Sequence, residues 1–143
     1  IKKHPVQKEW GIEEDAFENI RFVNQEMLDQ KEIQLYELIS ASDGLISDYS
    51  SVAVDYMLLN RPLAFVLSDM QQYKETRGFV FENPQEYMPG EKIYDLKGLE
   101  EFAVHVSGEK DLYREERRKL LPVMHQMPVK ENYSKALAEF LKL

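Results

Sequence analysis

The sequence contains no cysteine. A disulfide framework, a thiolate metal site and a cysteine nucleophile are therefore excluded, and the composition fits a reducing compartment. Glycine is scarce, with six in 143 residues, and none falls in a GxGxxG or Walker-type loop. A GxSxG elbow and an HExxH helix are also absent. The three histidines, His4, His105 and His125, lie too far apart in sequence to point to a metal site. No apolar run approaches the roughly 18 residues of a membrane-crossing helix. Positive charge is in deficit, with 18 Lys and Arg against 26 Asp and Glu and a net charge of −8. That balance argues against nucleic acid as a partner, because nucleic acid needs a basic footprint.

Hydrophobic residues at 43% and aromatics at 11% describe a chain able to bury a core. No repeat, low-complexity stretch or internal linker stands out, so residues 1–143 read as a single domain. The chain starts at Ile1 with neither Met nor a signal-peptide pattern, and reads as a fragment or a processed product. The charge is uneven. Residues 1–109 carry 10 basic and 21 acidic side chains, residues 110–143 carry 8 and 5. The basic C-terminal segment fits contact with a membrane surface or an acidic partner, and equally an ordinary solvated helix face.

Short apolar runs alternate with helical periodicity. Strands are expected at Ile20–Val23, Gly44–Asp48, Pro62–Leu67 and, more weakly, Lys92–Tyr94. The continuous apolar run of Pro62–Leu67 is the kind a parallel sheet buries on both faces. Helices are expected over Gln34–Ser42, over Ser51–Asn60, through Leu99, Phe102, Ala103 and Val106 to Gly108, over Asp111–His125 and over Tyr133–Leu141. Asn60-Arg61-Pro62 is a stop signal. Asp69–Gly90 reads as a long, mostly irregular connection with one helical turn, and long connections are often functional. The alternation predicts an α/β fold with a Rossmann-like parallel sheet flanked by helices.

The densest chemical signal is Ser42-Asp43-Gly44-Leu45-Ile46-Ser47-Asp48-Tyr49-Ser50-Ser51. A strand ending at Ser47 or Asp48 and a helix starting near Ser51 would put two hydroxyls at a helix N-terminus, on the ligand-binding edge of an open α/β sheet. Orphan N–H groups and the helix dipole make that place suitable for phosphate. The plainer reading is that Ser50 or Ser51 is an N-cap worth about 1 kcal/mol. A second signal is Lys3-His4-Pro5. Pro5 forces His4 into an extended conformation at the end of a strand, where Lys3 and His4 are candidates for phosphate contact or simply turn residues. The third is Arg77-Gly78, an anion contact on a sharp turn or a surface arginine. Asp48 and Asp55 do not read as a catalytic carboxylate pair, since Asp55 falls inside the helix.

Together these segments resemble one family, the CDP-glycerol glycerophosphotransferases, which are the teichoic-acid primases and polymerases of Gram-positive bacteria. The resemblance runs through Lys3 and Pro5, then Ser42 to Ser51 with Asp55-Tyr56. It continues with Asn60-Arg61-Pro62, Phe65, Asp69, Tyr73, Arg77-Gly78-Phe79 and Pro89-Gly90. Its order and spacing hold over residues 3–90, and generic helices follow. Met127–Asn132 departs from the Asp-Gly-containing segment usual before the family's last helix.

The resemblance implies the C-terminal, donor-binding half of a GT-B architecture, with the N-terminal acceptor domain outside this chain. It implies transfer of glycerol phosphate, or a related polyol phosphate, from a CDP-linked donor to the hydroxyl of a lipid-linked acceptor. CMP would leave, at the cytoplasmic side of the cell membrane. On this resemblance Ser50 and Ser51 hold a donor phosphate, with Lys3 and Arg77 as charge partners. His4 is then the candidate catalytic residue, bonding the pyrophosphate or protonating the departing CMP. No metal or cofactor is implied beyond the donor substrate. Arg114, Arg117, Arg118 and Lys119 form a candidate docking patch for the membrane. Half a cleft would be inactive alone. Two other readings stay open: the donor half of another GT-B glycosyltransferase or nucleotide-sugar epimerase, and a non-catalytic α/β binding module.

Overall fold

The computed structural model describes residues 1–2, 17–125 and 132–141. The chain divides into two compact units, Ile1–Ser42 and Asp43–Leu143.

In the first unit the expected strand at Ile20–Val23 reduces to a single parallel bridge between Lys2 and Val23. Asn24 then caps helix α1 (Gln25–Gln30), its side chain accepting the Met27 N–H at 2.8 Å. This helix was not expected from the sequence, because Leu28 is the one residue it buries and no apolar period marks it. Glu32, at φ 55°, turns the chain into α2 (Leu35–Ser40). There the Gln34 N–H donates to Glu37 Oε2 at 2.7 Å.

The second unit is built on three parallel strands in the order β1-β2-β3: Leu45–Ser47, Leu63–Val66 and Glu91–Ile93. Three of the expected strands are therefore present, the first two shortened at both ends and the third shifted by one residue, and the chain is α/β with a small parallel sheet flanked by helices. Helix α3 (Val52–Tyr56) runs into a 3-10 turn over Met57–Leu59, and Asn60 ends it in the left-handed conformation, φ 48° and ψ 41°. Asparagine tolerates that conformation, and Pro62 cannot continue a helix. Tyr56 and Met57 are buried, while Leu58 and Leu59 are exposed.

β2 is the central strand and shows almost no surface. Strand pleating sends alternate residues to opposite faces. On one face Ala64 packs with Ile93 and with Phe102 of α5 (Leu96–Ser107), joined by Val66 and Val106. On the other face Phe65 lies beside Lys92, whose Nζ is 5.6 Å from the ring centroid. Gly44 and Gly90 let backbone and core approach closely. A Cβ at Gly90 would stand 2.3 Å from the Leu63 carbonyl oxygen.

The Asp69–Gly90 connection holds more helix than expected: α4 (Met70–Thr76) and a 3-10 turn over Pro84–Tyr87. Helix α6 (Arg114–Met124) and α7 (Tyr133–Leu141) follow the expected spans closely. Among the described residues no helix is long and apolar enough to cross a membrane.

Candidate functional site

β1 stops at Ser47, which is buried, and Asp48-Tyr49-Ser50 turns the chain into α3. Asp48 shapes this turn, its Oδ1 accepting the Ser50 N–H at 3.0 Å. Aspartate is suited to it because its short side chain reaches the backbone two residues on. Ser51 stands at the N-cap position but already has helical angles, φ −61° and ψ −18°, and its hydroxyl makes no capping bond. The hydroxyl capping role open to Ser51 from sequence is therefore not the one it plays. The first helical bonds run from Ala53 N–H to the Ser50 carbonyl and from Val54 N–H to the Ser51 carbonyl. Ser50 and Ser51 are both exposed, at the C-terminal end of a parallel strand.

Tyr49 connects this turn to the chain that follows β2. Its hydroxyl donates to Asp69 Oδ1 at 2.9 Å. Its ring centroid lies 4.1 Å from that of Tyr73 and 5.3 Å from that of Phe79, and Tyr73 and Phe79 are 5.1 Å apart. Such an aromatic trio contributes about 0.5–1.5 kcal/mol per pair beyond area burial. Burial, the hydrogen bond to Asp69 and the negative charges of Asp69 and Asp48 push the Tyr49 phenol well above its ordinary value. Tyr49 is thus a neutral donor at every physiological pH.

Arg77 sits between Tyr73 and Phe79 in sequence, at the C-cap of α4, and is exposed. Gly78 follows with φ 73°, a left-handed turn that supports the sharp reversal expected there. The structure therefore ties two of the sequence-predicted elements, the serine turn and the arginine segment, to one aromatic cluster. Lys3 and His4 lie outside the described residues. Asp69, Tyr73 and Phe79 carried no expected role. In the sequence they stand only among the residues that carry the family resemblance, with no role attached.

The expected basic patch needs correction. Arg117 is 1% exposed and paired with Asp111, so it does not belong to a surface that could meet a membrane. Six residues separate the two, and burial of both makes their pairing obligatory. Arg118 is exposed and pairs with Glu115 at 2.7 Å, which leaves less free positive charge on α6 than the sequence implies. The two described histidines are engaged elsewhere. His105 Nδ1 is 3.0 Å from Glu91 Oε2, and His125 Nε2 is 3.0 Å from the Val54 carbonyl.

Residues 1–135 match the family described as CDP-Glycerol:Poly(glycerophosphate) glycerophosphotransferase. A teichoic acid glycerol-phosphate primase of Bacillus spizizenii is 32% identical over 123 residues, covering 79% of this chain and 30% of the relative. A protein of the same name from Bacillus subtilis is 35% identical over 81 residues, 57% of this chain and 21% of the relative. A teichoic acid ribitol-phosphate primase of B. spizizenii is 42% identical over 65 residues, 46% of this chain and 16% of the relative. The chain thus spans less than a third of the length of these curated relatives.

Proposed function

The chain belongs to the CDP-glycerol:poly(glycerophosphate) glycerophosphotransferase family, and from that premise we propose that it supplies the donor-phosphate site of an enzyme moving a polyol phosphate from a CDP-linked donor to an acceptor hydroxyl in teichoic-acid synthesis. The family match over residues 1–135 is the observation that carries the reading. Relatives named for glycerol phosphate and for ribitol phosphate both align, so the donor class is a CDP-polyol and CDP-glycerol is its first representative.

The site supports a phosphate role in three ways. Two serine hydroxyls stand exposed where ligands bind in open α/β sheets. No described residue accepts the N–H groups of Ser51 and Val52, which open α3. Arg77, exposed on a segment anchored to the same turn, offers a planar, permanently charged partner for phosphate oxygens. In the transfer, the acceptor oxygen attacks the phosphorus bearing the polyol, the bond to the CMP oxygen breaks, and CMP leaves. Hydroxyls, N–H groups and the guanidinium would stabilise the charge that gathers on the pyrophosphate. His4 is assigned to bond the pyrophosphate or protonate the leaving CMP, with Lys3 as a second charge partner.

The reading places this domain in the donor half of a GT-B architecture, with the acceptor side of the cleft outside these 143 residues. A lipid-linked acceptor and a place at the cytoplasmic membrane face belong to the same reading. On it, these residues alone do not turn over CDP-glycerol.

Titration of the ¹⁵N-labelled protein with CDP-glycerol tests the proposal, with CMP and a UDP-sugar as controls. Chemical-shift changes at Ser50, Ser51 and Arg77, strongest for CDP-glycerol, are expected. A stronger response to the UDP-sugar would transfer the protein to another class of nucleotide-donor enzyme.

A further inference from the structure

Asp69 stands at the N-cap position of α4, where an aspartate ordinarily accepts an N–H of the first turn. Here its side chain makes no capping bond. It accepts instead from the Tyr49 hydroxyl, 20 residues back in sequence, at 2.9 Å. The partner is a residue whose neighbours are Asp48 and Ser50, the two that close the turn before α3. The Tyr49 ring also contacts Tyr73 and Phe79, which lie on either side of Arg77-Gly78. One hydrogen bond and two ring contacts thus lock the serine turn to the arginine segment, whose own two rings also meet.

We infer that Asp69 is a positioning residue that acts through Tyr49: the pair fixes the separation between the Ser50–Ser51 turn and Arg77, and so selects a donor whose two linked phosphates touch both over one carrying a single phosphate. The inference rests on the donor-site reading above and assigns that site its means of discrimination. A monophosphate needs one arm only, and tolerates a change in the distance between arms. A diphosphate ester bridging both does not. A misaligned partner forfeits a charge-assisted hydrogen bond, stronger than one between neutral groups.

Tyr49→Phe keeps the ring contacts and removes the hydroxyl. Asp69→Asn keeps the size and removes the charge. Isothermal titration of the wild type, both single variants and the double variant, each with CDP-glycerol and with CMP, is the test. Thermal melts confirm that each variant is folded. Each single variant is expected to bind CDP-glycerol about tenfold more weakly and CMP within twofold of wild type, a loss of about 1.4 kcal/mol confined to the diphosphate. The double variant is expected to be no weaker than either single one, because both remove the same bond. Equal losses for CDP-glycerol and CMP would overturn selection by span and make the pair a structural brace. Additive losses would overturn action of Asp69 through Tyr49. Unchanged affinity in both variants would overturn the whole inference. A wild type that binds neither ligand would instead bring down the donor-site reading, and this inference with it.

Discussion

Arg117 and Asp111 form a buried ion pair on α6 and the turn before it: the guanidinium Nη2 donates to Asp111 Oδ2, and the side chains are 1% and 7% exposed. Arg117 Nη1 is buried with no partner among the described residues. Arg114 Nε approaches the same carboxylate oxygen at 3.4 Å. Two charges taken out of water gain from one another what they lose in hydration, so the pair adds little net stability while each half alone is costly. Asp111→Ala strands a buried guanidinium and is expected to cost about 3–5 kcal/mol in urea unfolding. The double replacement Asp111→Leu with Arg117→Met is expected to fall within about 1 kcal/mol of wild type. A double variant as unstable as Asp111→Ala would show instead that the pair itself stabilises the fold.

Gly90 precedes β3 at a point where the backbone of β2 leaves no room for a side chain. A Cβ there would meet the Leu63 carbonyl carbon at 2.8 Å as well as its oxygen. These are backbone atoms of the central strand and cannot swing away. Gly90→Ala is expected to destabilise by about 2–3 kcal/mol. Gly98, in the first turn of α5, is the contrast, since a Cβ there finds its nearest neighbour at an ordinary 3.5 Å. Gly98→Ala is expected to stabilise by about 0.5–1 kcal/mol through helix propensity. Chemical denaturation of the two variants side by side separates crowding from chain entropy.

The two ends of α5 offer opposite opportunities. Asp95 caps its start, accepting the Gly98 N–H at 2.9 Å. At its end Lys110 N–H bonds the His105 carbonyl at 2.8 Å and Glu109 N–H bonds that of Val106 at 3.1 Å, the pattern of a Schellman motif. The left-handed residue of that motif is Glu109, at φ 54°, while Gly108 beside it has an ordinary φ of −89°. Asp95→Ala is expected to cost about 1 kcal/mol. Glu109→Gly is expected to gain about 1 kcal/mol by relieving the left-handed strain. Thermal melts of both variants would show shifts of opposite sign.

Elements whose cause lies within a few residues were legible in the sequence. The apolar run of β2, the stop at Asn60 and the serine turn between strand and helix all belong to this kind. α4 was not legible, because it buries none of its residues. Its hold on the fold is Tyr73 against Tyr49 and Phe79, contacts among residues that no local period connects. The burial of Arg117 was hidden for a related reason. A run of charges reads as a solvated face, and its partner Asp111 stands six residues away rather than at the three or four of a helix surface pair. At the candidate site, sequence pointed to Ser50, Ser51 and Arg77 singly. Their connection through Tyr49 and Asp69 is tertiary, and only the fold displays it.

Lys92 supplies a pH dependence whose sign can be worked out. It lies on the sheet face opposite the main apolar cluster, and its Nζ donates to the carbonyls of Met88 and of Gly90, the latter at 2.7 Å. The rings of Phe65 and Tyr113, with centroids 5.6 and 5.1 Å away, favour the ammonium. Burial outweighs them and brings the amine down from 10.5 to about 8. Between those values the unfolded chain binds a proton that the folded one does not, so stability rises with pH across the window from about 8 to 10.5 and gains nothing below it. Lys92 is only partly buried, so the gain is of order 1 kcal/mol after solvent screening. Tyr49, held protonated by the fold, acts in the opposite direction above its ordinary range and is common to wild type and variant. The comparison is therefore the difference in unfolding free energy between wild type and Lys92→Met, measured from pH 7 to 10.5. That difference is expected to move in favour of the wild type as pH rises. A flat difference would mean that the folded and unfolded chains hold the Lys92 proton equally well.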